Sequence, residues 1–245
     1  MSWLTIVLLV VSGLAAGFVN AVAGGGAVFV MPVLVHAFGG SIANGTLRVG
    51  VLLGDAIGAG AYIRGGVMPW RRGLPLVPPT IAGAVAGAWL ATEVSPETMR
   101  RALAGAVLLV ALSVLVKPSR WLRVSEPRLK QPWLSLALVA AGFYGGFVQA
   151  GVGFALLAPL VLGGGLGLIK GNAAKQFLVF AYGPFALLVF WRASQVNWTA
   201  GLILGAGVVV GELVAISLAL KKGSDWIRWV LIIAAVTAAV YMLVR

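Results

Sequence analysis

Long apolar runs follow one another along the whole chain, and the short connections between them carry nearly all of its Lys and Arg. Such a chain has too little polar surface to face water, since 61% of its 245 residues are hydrophobic and 10% are charged. In a bilayer core every backbone N–H and C=O must be paired within a helix or a closed barrel. A barrel needs strands of alternating polarity about ten residues long, and these runs do not alternate. They predict an all-α, polytopic membrane protein, whose 34 glycines let helices approach closely.

The formal charge of +12 does not predict nucleic-acid binding, because no soluble basic domain exists to carry it. Cations in short connections instead contact lipid headgroups and set topology. With no cysteine, thiol chemistry and Cys-ligated metals are excluded, and the lone His36 cannot build a histidine metal cluster. No cofactor is expected. Residues 3–22 end in Ala21-Val22-Ala23, which resembles a cleavage site, but no Lys or Arg precedes the run. They are expected to be a span.

The two halves can be laid on each other. Gly24-Gly25-Gly26 followed by Pro32 matches Gly151-Val152-Gly153 followed by Pro159. Further on, Tyr62 to Leu115 aligns without gaps to Phe190 to Leu243, pairing Arg64 with Arg192, Trp70 with Trp198, Gly83 with Gly211 and Arg100 with Arg228. The expected organisation is a first transmembrane repeat at 1–116, a cytoplasmic linker at 117–132 and a second repeat at 133–245. Five segments are expected in each half: 3–22, 27–38, 46–63, 73–92 and 98–116, then 133–150, 154–168, 173–191, 199–219 and 226–244. The second of each half is short and contains a proline, so it reads as a half-helix or broken helix. Ser95 followed by Pro96 reads as an N-cap and an N1 proline.

An odd number of crossings inverts the second half relative to the first. With the N-terminus outside, 13 Lys and Arg fall inside and 5 outside, the sense the positive-inside rule requires. This predicts about ten membrane segments in two inverted repeats, with both termini outside. Secondary transporters built this way hold their substrate near the midplane, between repeats.

The glycine motifs each follow a full span and open a short helix, whose first N–H groups lack intrahelical partners. Those groups and the helix dipole attract an anion, and glycine lets it reach the backbone; the same glycines also suit a tight hairpin and close packing. The candidate substrate-binding residues are therefore Gly24, Gly25, Gly26, Gly151, Val152 and Gly153, with the amides of Asn20 and Gln149 just before the motifs. Arg48 and Lys175, which correspond between halves, either balance a substrate's charge or snorkel to headgroups. Asn44, Asn172 and Gln176 lie nearby and read as loop or cap residues. Only Asp55 and Glu212 are acids at mid-span, where a carboxyl group has a partner or a task such as carrying a coupling proton. They are not repeat mates, since Glu212 aligns with Ala84. His36 reads as a proton relay or a helix-end residue.

The run Gly17-Phe18 … Ala23-Gly24-Gly25-Gly26 … Pro32, its partner Gly142-Phe143 … Gly151-Val152-Gly153 … Pro159, and the turns at Val67 to Trp70 and Val196-Asn197-Trp198 resemble the sulfite exporter TauE/SafE family. The resemblance covers nearly the whole chain. It implies a bacterial inner-membrane carrier of sulfite, sulfonates such as sulfoacetate, or related organic anions, driven by the proton gradient, with its site at the two glycine motifs. Val152 and Phe154 stand where family members often have more glycine. The expected activity is secondary transport, in the export direction, of a small organic or sulfur-containing anion with protons. The expected partners beyond these are membrane lipids and a second copy in a homodimer. An accessory or assembly protein without flux, and a membrane enzyme, are the alternatives; the first would want a soluble docking loop and the second a metal site or catalytic dyad.

Overall fold

The computed structural model describes residues 1–22, 24–114 and 129–222, with only the backbone of residues 22, 107–114 and 222. The segment expected at 226–244, residues 117–128 of the linker, and the Arg100–Arg228 pairing lie outside the described residues.

Every regular element among the described residues is helical. In chain order they are α1 (Trp3–Val22), α2 (Ala27–Phe38), α3 (Gly40–Arg64), α4 (Trp70–Gly73), α5 (Val77–Glu93), α6 (Pro96–Val114), α7 (Trp133–Phe147), α8 (Val152–Leu157), α9 (Leu168–Arg192) and α10 (Trp198–Lys222). A 3-10 turn at Leu74–Leu76 joins α4 to α5, and a π-helical turn at Ala158–Gly163 extends α8. Five stretches are long and apolar enough to cross a membrane: Trp3–Ala21, Gly40–Arg64, Trp70–Glu93, Leu168–Arg192 and Trp198–Lys221. Their exposed faces carry Leu4, Leu8, Val11, Ile57, Phe185, Leu202 and Val214, as lipid requires. Trp3, Trp70, Trp133, Trp191 and Trp198 sit exposed at helix ends, where indole rings favour the interface. The second element is short, as expected: the 12 residues of α2 reach about 18 Å, against a hydrocarbon core of about 30 Å.

The third segments begin earlier than expected. α3 starts at Gly40 rather than residue 46, and α9 at Leu168 rather than 173. At Gly39 the backbone takes φ 78°, which turns the chain sharply enough for a helix to restart at once. Asn44, Asn172 and Gln176 therefore stand inside α3 and α9, buried, and not in loops or caps. Ser95 does cap α6, its hydroxyl accepting from the Thr98 N–H at 3.2 Å.

Glycine furrows set the packing. Gly13 and Gly17 of α1 lie against Leu204 and Val208 of α10, while Gly207 and Gly211 lie against Val10 and Leu14, so the two helices run parallel. In the same manner Gly142 and Gly146 of α7 lie against Thr80 and Ala84 of α5, and Gly83 and Gly87 against Val139 and Phe143. A Cβ at any of these eight glycines would fall under 3.0 Å from partner backbone. α3 runs parallel to α10, with Gly50 and Gly54 against Leu204 and Val208. It crosses α9 in the opposite sense, placing Gly45 by Phe190, Leu52 by Gly183 and Gly58 by Gln176.

If the two halves are laid on each other by their packing, these contacts give a different register from the ungapped alignment. Gly83 takes the place of Gly207 and Gly87 that of Gly211, so beyond Trp70 and Trp198 the pairing slips by four residues. The extra residues form the turn of α4 and the 3-10 turn, where Pro75, Pro78 and Pro79 interrupt regular hydrogen bonding. Glu212 consequently corresponds to Ala88 rather than Ala84. Because α3 and α9 begin and end in step, Arg48 corresponds to Gln176, and Lys175 to Leu47.

Candidate functional site

The two glycine motifs meet. A Cβ on Gly24 would fall under 3.0 Å from Gly153 Cα, and one on Gly153 equally close to Gly24 Cα. Gly24 also has φ 82° and Gly151 φ 77°, so both turns use backbone that only glycine adopts readily. Gly26 packs against Ala16 of the preceding helix, the hairpin role that the sequence left open. Among the described residues no acceptor meets the amide N–H of Gly25, Gly26, Ala27, Gly151 or Gly153. Val152 is buried beside Gly145.

Polar side chains from four helices and from the turn between α7 and α8 gather in the protein interior, in two chemically different groups. Arg48 on α3 is the centre of the first. It is 3% exposed, so it does not snorkel. Its guanidinium donates to Gly145 O at 3.2 Å, to Gly146 O, and to Gln149 Oε1 at 3.2 Å. The Phe190 ring lies 4.3 Å from its central carbon. The two carbonyls belong to the last turn of α7, where the helix dipole favours a cation. Among the described residues its Nε has no partner, and it forms no ion pair with a carboxylate. The Tyr182 hydroxyl on α9 donates to the same Gln149 Oε1 at 3.1 Å. Gln149 is itself held at φ 62°, a left-handed conformation rarely tolerated by a side-chain-bearing residue unless its surroundings impose it. One turn from Arg48, Asn44 donates to Phe147 O at 2.7 Å.

Lys175 on α9 is the centre of the second group and is fully buried. Its ammonium donates to Asn20 O. Asn20 Nδ2 donates to Glu212 Oε1 at 2.8 Å, and Gln176 Nε2 to Glu212 Oε2 at 3.3 Å. Asp55, 1% exposed, lies close enough to feel the charges of Lys175 and Glu212 and the amide of Asn20. Room for Glu212 and Gln176 comes from Gly54 and Gly58 of α3, where side chains would collide with them. Tyr62 closes the group, its hydroxyl donating to Ala21 O at 3.3 Å.

The structure thus brings together Asn20, both glycine motifs, Arg48, Asp55, Gln149, Lys175 and Glu212. His36 is apart, exposed near the end of α2. Tyr182 and Gln176 were not singled out as site residues by sequence; a hydroxyl within the apolar run 177–191 was the available signal for Tyr182. Beyond an apolar layer containing Tyr62, Met68, Phe154, Leu168 and Ile169 lies an open cavity of about 850 Å³, lined by Arg71, Arg72 and Lys170 among others.

The family model described as "Sulfite exporter TauE/SafE" matches residues 9–242. The chain is 30% identical over 237 residues to a probable membrane transporter protein, ORF9, of Sinorhizobium sp, covering 96% of this chain and 91% of that one. It is 30% identical over 231 residues to the probable membrane transporter protein YfcA of Escherichia coli K12, covering 91% and 84%. A probable membrane transporter protein of Haemophilus influenzae is 24% identical over 226 residues, covering 90% and 88%. No solved structure matches. The chain belongs to the sulfite exporter TauE/SafE family of membrane transporters.

Proposed function

We propose that this protein is a proton-coupled secondary transporter in the bacterial inner membrane that exports a small anion, such as sulfite, a sulfonate or a related organic anion, down that anion's own gradient. The observation that carries the reading is Arg48, a guanidinium buried from solvent with no carboxylate beside it among the described residues. An unpaired buried charge is costly, and an anionic solute supplies the missing counter-charge. The meeting of Gly24 and Gly153 adds support, because it puts two sets of uncommitted backbone amides at one place.

The architecture is two inverted repeats of five segments. In support of it, α3 and α9 occupy corresponding positions and cross antiparallel, and the α1–α10 packing has its counterpart in α7–α5. The N-terminus lies outside, and the basic cavity at Arg71, Arg72 and Lys170 opens to the cytoplasm, where it collects substrate anions. Flux into and out of proteoliposomes tests the function. Saturable, pH-dependent movement of sulfite or a small sulfonate is expected; no movement of any member of a panel of sulfite, sulfonates and carboxylates sinks the proposal.

A further inference from the structure

The two polar groups divide the work, and their charges set its stoichiometry. Beside the Arg48 guanidinium two hydrogen donors remain uncommitted, while one turn away Asn44 Oδ1 is an acceptor without a partner among the described residues. The free donors are Arg48 Nε–H and the Gln149 amide nitrogen, which has no acceptor among the described residues. Two donors, from Arg48 and Tyr182, hold Gln149 Oε1 and so fix which end of the amide is the oxygen. Two free donors beside a cation suit the acceptor-only oxygens of a sulfonate, sulfite or carboxylate head.

The other amide is not free for this. Asn20 spends its Nδ2 on Glu212 and its carbonyl on Lys175. Lys175, in turn, faces two carboxylates, Asp55 from α3 and Glu212 from α10. The remaining titratable groups facing this cluster are Tyr62 of α3 and Tyr182 of α9. With the acids ionised the cluster is short of one positive charge, and Arg48 is short of one negative charge. Adding an anion alone, or a proton alone, leaves a net charge in a region of low dielectric. Adding both restores balance.

We propose that the anion and one proton bind together, one to one, with the anion at Arg48 and Gln149 and the proton shared by Asp55 and Glu212 around Lys175. Lys175 and Asn20 then belong to the proton cluster and not to the anion contacts. Transport of a monoanion is electroneutral, and Tyr182 is a positioning residue for Gln149. The proposal rests on the transporter reading above.

The test uses the full chain in proteoliposomes with methanesulfonate, whose charge is fixed at any working pH, and sulfite and acetate beside it. A pH gradient is expected to drive accumulation with one proton moved per anion, and a potassium–valinomycin potential to leave the rate unchanged. Asp55→Asn and Glu212→Gln are expected to reduce the accumulation ratio to unity. Flux that follows the potential, or that ignores the pH gradient, overturns the coupling while leaving the transporter reading intact. No flux of any probe removes that reading, and the coupling with it. Should either variant fail to fold, judged by gel filtration, the proton-to-anion ratio of the unaltered protein decides alone.

Discussion

Gly24 and Gly153, 129 residues apart in the chain, press their α-carbons together so tightly that neither can carry a side chain. Each is the hinge of a different broken helix, so one contact fixes the distance between two turns that nothing else in sequence connects.

Replacing Gly24 or Gly153 by Ala should therefore be severe. Overpacking costs about 1–3 kcal/mol, and at Gly24 the left-handed backbone adds about 1–2 kcal/mol. Gly39 is the control, since its φ of 78° is as unusual but no atom of the described residues lies within 4 Å of its Cβ position. Thermal unfolding in detergent should place Gly39→Ala near the backbone cost alone and both others clearly below it. Equal losses at Gly24 and Gly39, with none at Gly153, would show that crowding at the contact is immaterial.

Arg48→Lys should fail to replace Arg48. A lysine keeps the charge but cannot reach Gly145 O, Gly146 O and Gln149 Oε1 at once with a planar fork. At about 1.5–3 kcal/mol per charged hydrogen bond, anion affinity should fall roughly ten- to hundredfold. Titration of the purified protein with sulfite measures it, and an unchanged affinity contradicts the assignment.

Tyr182→Phe removes one of the two donors that orient Gln149. A loss of about 1 kcal/mol corresponds to an apparent affinity roughly fivefold weaker. KM should rise while the proton-to-anion ratio stays at unity, which a general loosening of the fold would not produce. Tyr62→Phe, on the far side of the proton cluster, should leave KM unaltered.

Asn20→Ala should destabilise through Glu212, whose Oε1 loses a donor at 2.8 Å; a buried acceptor left unpaired costs about 1–3 kcal/mol. A double-mutant cycle with Glu212→Gln should return a coupling of about 0.5–3 kcal/mol. Strict additivity would mean that the two groups do not interact.

Neutralising Arg71, Arg72 and Lys170 together to Gln should raise KM for export at low ionic strength, and the difference should fade as salt screens the cavity. Initial rates at two salt concentrations decide it.

The membrane class, α1, α2 and the glycine turns were legible because they depend on composition and on residues close in sequence. α2 spans the 27–38 that its glycine and proline suggested. The polar starts of α3 and α9 were not, because Asn44, Arg48, Asn172 and Gln176 have the composition of a loop and only tertiary burial makes them helix interior. The Asn20–Glu212 bond joins residues 192 apart, and no local pattern encodes such a pair. Arg48 and Lys175 read as equivalents, yet their surroundings separate them: one faces backbone carbonyls and an amide, the other two acids. Lone residues such as Tyr182 disappear among apolar neighbours. The register slip after Trp70 was hidden because Gly83 matches a glycine in either alignment.

The furrowed helix pairs join the first half of the chain to the second. α1, from the first half, docks on α10 from the second, and α5 docks on α7, so each half supplies the other's tightest neighbour. Two half-genes cut within 117–128 would thus make partners rather than modules: each fragment alone exposes glycine-lined backbone to lipid, and only their co-expression rebuilds the fold.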